Sequence, residues 1–222
     1  MKPIISFYGF GNMGQALFNS MQHSRWVDHY HWQFYDPNPE LQKKFGQHPH
    51  IKLQNENELF SNSFLIFICI KPQNVDQLYQ AIQQYKPQNC HLISMMAGIK
   101  TESIQQQLDP SCRISRIMPN TPARIQEGAT AICLDAFTNA HEKESIEKLL
   151  KTAGTIVHVA EPQLNTITAL SGSGPAFTYQ IIKDFLEFAK NEEIDRDVAL
   201  PIICQTLIGA AKMVMQYQNI DH

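Results

Sequence analysis

The 222-residue chain has no long hydrophobic run. Its longest unbroken apolar stretch, Phe64 to Ile70, falls far short of the roughly 20 residues a membrane helix needs, so no membrane span is expected. It has no surplus of one charge: 18 Lys and Arg stand against 21 Asp and Glu, a formal net charge of −3, which leaves no basic footprint for nucleic acid. Met1 to Tyr8 is too short for a secretory leader and lacks its flanks. There is no CxxC pair, and the five cysteines, at 69, 90, 112, 133 and 204, are odd in number. A disulfide framework is therefore not expected, and a reducing cytoplasm is the compartment that fits. Cys69 and Cys133 lie inside apolar runs and read as small buried hydrophobes. The nine histidines show no metal-ligand spacing, and the pairs His29/His31 and His48/His50 sit in polar stretches that read as solvated surface, so no metal is expected. No Ser-His-Asp order, no paired carboxylates and no internal repeat point to hydrolysis or to a solenoid.

What is present is an ordinary globular composition, 43% hydrophobic and 18% charged, enough for one core plus a smaller unit. The first part alternates short β-rich segments with helical ones. Strands are expected at Ile4–Tyr8, His31–Tyr35, Phe64–Ile70, His91–Met96, Arg113–Met118, Ala129–Leu134 and Thr155–Val159, with helices at Asn12–His23, Pro37–Phe45, Val75–Tyr85 and Asn139–Lys151. This pattern implies an α/β fold with a Rossmann-like, doubly wound sheet over residues 1–160. Beyond residue 160 the strand signals stop. Leu164–Leu170, Ala176–Asn191 and Arg196–Gln216 read as helices around a turn cluster at Ser171–Pro175, so a smaller all-helical domain is expected over 161–222. Its apolar surface needs cover from the first domain or from a second subunit. The Gln-rich stretches at 73–88 and 105–107 read as solvated helix faces.

The residues Ile4-Ile5-Ser6-Phe7-Tyr8-Gly9-Phe10-Gly11-Asn12-Met13-Gly14 place GxGxxG between a strand and a helix. Gly9 suits a tight turn, Gly11 lets backbone approach a pyrophosphate, and Gly14 brings helix and strand close; the helix start attracts phosphate. Asp36 at the end of the second strand can accept from the adenosine ribose hydroxyls and would repel a 2′-phosphate, a lean toward NADH over NADPH. The plain alternative is that Asp36-Pro37 starts a turn. Lys71, extended by Pro72, leaves the buried strand at the edge where ligands bind. Ala97 and Gly98 leave room for a ribose and nicotinamide at the next strand end, and Asn120 offers donors and an acceptor. A nicotinamide would carry the hydride chemistry, with the protein orienting it.

Taken together, GFGNMGQAL at 9–17, IKPQ at 70–73, ISMMAGI at 93–99, RIMPNTPARIQEGATAI at 116–132 and TALSGSGPAF at 168–177 resemble pyrroline-5-carboxylate reductase. The resemblance implies reduction of the imine 1-pyrroline-5-carboxylate to L-proline with NADH or NADPH, the last step of proline biosynthesis, by a homodimer or larger homo-oligomer built through the helical domain. It implies that Phe10, Gly11, Asn12 and Met13 hold the pyrophosphate and that Asn57 lies near the adenosine ribose. Ile70, Lys71, Pro72, Ala97 and Gly98 would line the nicotinamide ribose, and Met118, Asn120 and Thr121 would border the substrate; no catalytic acid is assigned. Phe177 stands where the family commonly has Tyr. The family continues into a Ser-Pro-Gly-Gly-Thr-Thr loop and a further helix, which this sequence, ending at Asp221-His222, does not contain; on that ground the helical domain reads as truncated. A cofactor-binding module without reductase activity is therefore the alternative. A β-hydroxyacid dehydrogenase is a lesser one, disfavoured because Lys183 lies nine residues after Gly174 and position 187 is Glu.

Overall fold

In the computed structural model, which describes residues 2–218, one unit runs through Gly172 and a second begins at Ser173. Asp221 and His222 lie outside the described residues.

The first unit is a sheet of eight strands in the order β3-β2-β1-β4-β5-β6-β7-β8. The strands are β1 Ile4–Tyr8, β2 His31–Tyr35, β3 Ile51–Leu53, β4 Leu65–Ile68, β5 His91–Ser94, β6 Arg113–Met118, β7 Gly128–Cys133 and β8 Gly154–His158. All neighbours pair in parallel except β6 with β7. The helices of this unit are α1 Asn12–Gln22, α2 Pro39–Phe45, α3 Glu56–Asn62, α4 Val75–Tyr85, α5 Thr101–Gln105, α6 Ala140–Lys151 and α7 Leu164–Ile167. The antiparallel β7 departs from a uniform β-α-β series. The link from Met118 to Gly128 holds only a 3-10 turn at Thr121–Ile125, too short for a parallel crossover, which takes about a dozen residues.

Strand periodicity divides the core. Ile5, Phe7, Leu65, Phe67 and Ile93 face one layer, while Tyr8, Ile66, Ile68, Leu92 and Ile114 face the other, as side chains two apart share a face. The first layer is aromatic: Phe10 packs 4.6 Å from Phe34 and 5.0 Å from Phe45, ring centre to ring centre. Three short elements are absent from the sequence reading. β3 is too brief for an alternation to register, α3 is announced only by its Asn55 cap, whose side chain accepts from the Glu58 amide, and α5 is a single turn.

Buried polar groups tie these layers together. Arg116, 3% exposed, donates from Nη1 to Glu161 Oε1 at 2.9 Å and from Nη2 to the Met96 carbonyl at 3.4 Å. Glu161 also accepts from the Thr101 amide at 2.7 Å and the Thr101 hydroxyl at 2.6 Å. Burial pushes the Glu161 carboxyl up, but these hydrogen bonds and the Arg116 charge outweigh it and hold the group below its usual range. Buried His91 lies 2.7 Å from the Ser115 hydroxyl and 3.8 Å from Glu142, which also pairs with Arg113. Ser115 is fully buried, so this is a packing network and not a hydrolytic one. All five cysteines are free. Cys90 and Cys112 are the buried ones, whereas Cys69 and Cys133, expected inside, are only half-buried.

In the second unit α8 Gly174–Asn191 and α9 Arg196–Tyr217 pack on each other. The expected turn at 171–175 is instead helical on both sides. A π-helical segment runs over Thr168–Gly172 and α8 starts at Gly174, because Pro175 is tolerated in a first helical turn. Only Ala189 and Ala199 are buried among the described residues of this unit; Phe177, Phe185, Phe188, Ile202 and Met215 are exposed. By length and composition α9 is apolar enough to cross a bilayer, although Gln205, Thr206 and Lys212 interrupt its apolar run.

Candidate functional site

The carboxyl ends of β1, β2, β4, β5 and β6 form the edge that carries the candidate residues. Chain order reverses between β1 and β4, the switch point where doubly wound sheets bind ligands. Gly9 sits there in the left-handed region, φ +84°, and a Cβ on it would stand 2.8 Å from Ile70 Cγ2 and 3.0 Å from the Ile70 amide nitrogen. No other residue fits. Gly14 packs the first turn of α1 on the strand, where a Cβ would meet the Gly9 carbonyl at 3.1 Å. Gly11 differs: a Cβ there would meet nothing within 4 Å. Its backbone borders open space at the start of α1.

That helix start has no side-chain cap and no acidic residue in its first turn. The first helical bond runs from the Gln15 amide to the Gly11 carbonyl at 3.0 Å. The amides of Asn12, Met13 and Gly14 therefore have no intrahelical acceptor. Together with the helix dipole they make a place for an anion.

Asp36 is the strap of this loop. Its Oδ2 accepts from the Phe10 amide at 2.6 Å and its Oδ1 from the Asn38 amide at 2.9 Å; the residue is 9% exposed. These bonds show the turn reading of Asp36, since both carboxylate oxygens close the turn that leads into α2. Phe10 spends its amide on Asp36 and its ring in the aromatic core, so of the four motif residues Gly11, Asn12 and Met13 are the ones with free amides.

Beside Gly9 lies a cavity of about 320 Å³ walled by Tyr8, Tyr35, Glu56 and the α4 glutamines Gln77, Gln80 and Gln84. The tyrosine rings stack 5.5 Å apart, and the Tyr8 hydroxyl donates to Glu56 Oε1 at 2.8 Å. Burial, with Glu56 next to it, pushes the Tyr8 hydroxyl far up, and burial likewise raises Tyr35. Reasoning from the sequence passed over all of these residues. The signal was the parallel register, which sets Tyr8 opposite Tyr35. The glutamines are solvated, as expected, yet one row of them also forms a cavity wall. Asn57, by contrast, is exposed in the first turn of α3, hydrogen-bonded locally to Ser61, and its neighbour Glu56 is the one that faces the cavity. Lys44 comes well after Asp36 in sequence, but its ammonium donates to Gln15 Oε1 at 3.2 Å, which brings a cation to the glycine loop.

Ile70, Lys71 and Pro72 leave β4 next to Gly9, with Lys71 extended and exposed before a 3-10 turn. Ala97 and Gly98 form an exposed turn, with Gly98 at φ +77° and open space where a Cβ would be. At the end of β6, Met118 packs on Ala131 and Leu164 and Thr121 is exposed. Asn120 is braced. Its Oδ1 accepts from the Ala129 amide at 2.9 Å and its Nδ2 donates to the Ser171 carbonyl at 3.1 Å, so the amide expected to face a ligand is largely spent on fixing β7 and the 168–172 segment. No group of three or more potential metal ligands occurs among the described residues.

The comparisons with known proteins agree on the family. Residues 161–222 match the model for pyrroline-5-carboxylate reductase dimerisation, and residues 4–98 match that for NADP oxidoreductase, coenzyme F420-dependent. The chain is 31% identical to a pyrroline-5-carboxylate reductase of Staphylococcus haemolyticus, over 94% of this chain and 78% of that protein. It is 30% identical to one of Staphylococcus aureus over the same shares. Among solved structures, the 1-pyrroline-5-carboxylate reductase of Streptococcus pyogenes superposes with a TM-score of 0.86 at 23% identity, covering 99% of this chain and 82% of that one. The pyrroline carboxylate reductase of Plasmodium falciparum with NADP bound gives 0.82 at 23%, covering 99% and 81%. The glycine loop, the open helix start and these matches converge: the chain belongs to the pyrroline-5-carboxylate reductase family.

Proposed function

We propose that this chain reduces the C=N bond of 1-pyrroline-5-carboxylate with a nicotinamide dinucleotide, forming L-proline. The observation that carries the reading is the 31% identity to a staphylococcal reductase spread over 94% of the chain. A bound nicotinamide would supply the hydride. The residues present fit such a group. The free amides of Asn12, Met13 and Gly14 suit a pyrophosphate, and the empty space at Gly11 lets it approach. The cavity walled by Tyr8, Tyr35 and Glu56 suits the adenosine end. The exits at Ile70–Pro72 and Ala97–Gly98 suit the nicotinamide ribose, with Met118 and Thr121 bordering the substrate. Asn120 is then a positioning residue. The imine accepts hydride once protonated, so the chain has only to bind the iminium in the right orientation and needs no strong acid of its own.

The negative charge of Asp36 disfavours a 2′-phosphate, and Lys44 offsets it only in part; NADH is the preferred cofactor on this reading. Asp36→Asn keeps an acceptor for the Phe10 amide and removes the charge. It should move the ratio of NADH to NADPH dissociation constants about tenfold toward NADPH, a change of about 1.4 kcal/mol; an unmoved ratio would dissociate Asp36 from the preference. The exposed apolar faces of α8 and α9, inside the region matching the dimerisation model, would be covered by a second copy. Free thiols suit a reducing cytoplasm. The deciding experiment is oxidation of NADH and NADPH by the purified chain with pyrroline-5-carboxylate, with proline identified as product. Cofactor binding without proline formation would overturn the reductase reading in favour of a binding module.

A further inference from the structure

At the amino ends of β5 and β6, the opposite edge of the sheet from the glycine loop, Cys90 and Cys112 precede the paired residues His91 and Arg113. Their sulfurs are 3.3 Å apart. Both residues are buried, Cys90 at 0% and Cys112 at 3% exposure. They are held there by the bond from the Arg113 amide to the Cys90 carbonyl, 3.0 Å, and by the Cys112 thiol donating to the Pro87 carbonyl at 3.1 Å. Neighbouring strands lie about 4.8 Å apart, inside the roughly 4.4–6.8 Å range of Cα separations that a disulfide spans. The two thiols differ in access. Cys112 lines a surface cavity of about 450 Å³ together with Leu108, Pro110, Arg113 and Asp135, and Cys90 does not.

We infer that Cys90 and Cys112 form a reversible dithiol–disulfide site, in which Cys112 is the thiol that meets a hydroperoxide oxidant and Cys90 is the thiol that resolves it. In the first step the Cys112 thiolate attacks one peroxide oxygen. The O–O bond breaks, Cys112 becomes a sulfenic acid, and the other oxygen takes up a proton and leaves as water or an alcohol. In the second, the Cys90 sulfur attacks the Cys112 sulfur, the S–O bond breaks, and the hydroxyl leaves as water with the Cys90 proton. Two electrons pass from the two thiols to the peroxide, and a dithiol reductant returns them. The unequal access of the pair favours this order, since Cys112 borders the cavity and Cys90 does not; the hydrogen bond from the Cys90 thiol lowers Cys112 and raises Cys90, while burial raises both. Asp109 opposes the thiolate at Cys112, and the Arg113 charge acts on Cys90 in the opposite sense. Such a site is compatible with a reducing compartment, where cysteine pairs close only transiently.

The test uses the whole chain under native conditions with dilute hydrogen peroxide, then thiol counting and mass spectrometry of the unreduced protein. Digestion combines trypsin with chymotrypsin, which can cut between Cys69 and Cys90. The expected result is a loss of two of the five thiols, a mass lower by two hydrogen atoms, a link between the Cys90 and Cys112 peptides, and full return with dithiothreitol. Cys90→Ser should instead leave a sulfenic acid at Cys112 that dimedone captures. Persistence of all five thiols, a link between any other pair, or oxidation of Cys112 with Cys90 still free would overturn the inference. The wild-type measurement stands without either variant, so a poorly folding Cys90→Ser does not weaken it.

Discussion

Gly9 and Gly11 sit two residues apart in one motif, yet alanine at each should break different things. At Gly9 the new methyl meets a left-handed backbone, φ +84°, and contacts of 2.8 and 3.0 Å to Ile70. The conformational part costs about 1–2 kcal/mol and the overpacking about 1–3 kcal/mol, so Gly9→Ala should lose about 2–5 kcal/mol of stability. At Gly11 the backbone is extended, with φ −69° and ψ −163°, and the methyl meets nothing within 4 Å. Alanine is a poorer helix cap than glycine, by about 0.5–1 kcal/mol, but narrows the unfolded ensemble by about 0.4–1 kcal/mol, so the two offset and stability should stay within about 0.5 kcal/mol. The methyl does occupy the approach to the free amides of α1. Losing one charge-assisted hydrogen bond costs about 1.5–3 kcal/mol, which is about ten- to a hundredfold in NADH affinity. Urea unfolding and NADH fluorescence titration of the two variants check this. A Gly11→Ala variant that binds NADH as tightly as wild type would place the phosphates elsewhere. A Gly9→Ala variant of wild-type stability would refute the loop geometry itself.

Three other outcomes are expected. Arg116→Ala leaves the Glu161 carboxylate without its cation; because Glu161 is a quarter exposed the loss should be about 2 kcal/mol, below the 3–5 of a fully buried pair, and urea midpoints measure it. Stability should fall with acid: His91 is held neutral by burial, below its ordinary value despite Glu142, with Arg113 adding to the shift, so the unfolded chain binds its proton first as pH drops below about 6.5. The Glu161 contribution is lost at still lower pH, as the carboxyl protonates. Unfolding free energy should therefore decline from pH 7 to pH 4, by up to about 1.4 kcal/mol per pH unit for the histidine, melting temperatures should follow it, and a flat profile would contradict the buried network. Finally, Phe185→Asp with Phe188→Asp, both exposed on α8, should turn the assembly into monomers by light scattering, and an unaltered mass would move the subunit interface off this face.

The sequence carried the frame of the fold because its long signals are local. β1, β2, α4 and β6 lie where alternation, helical spacing and flanking turns put them. The reversal of β7 was hidden by its strand-like composition, which says nothing about direction; the shortness of the preceding link was the available clue. The glycine loop was legible because each glycine has its own steric reason. The cavity beside it was not, since Tyr8, Tyr35 and Glu56 come from three separate elements and meet only through register. Asn120 shows a different limit: a side chain rich in donors and acceptors invites a ligand role, but whether those groups are free depends on partners such as Ala129 and Ser171 that no local pattern reveals.

The strap formed by Asp36 also bears on how this protein can change. One carboxylate holds the glycine turn and, under the proposed function, also carries the charge that would weigh on the ribose. A mutation of Asp36 that relaxes cofactor choice therefore gives up at least one of its two loop contacts in the same stroke: Asp36→Asn can keep the Phe10 amide but not the Asn38 amide as well. Variants that accept a 2′-phosphate at full stability should be rare as single substitutions. They should arise together with a second change that replaces the lost acceptor for the Phe10 or Asn38 amide, which makes cofactor choice here a trait altered in pairs of residues.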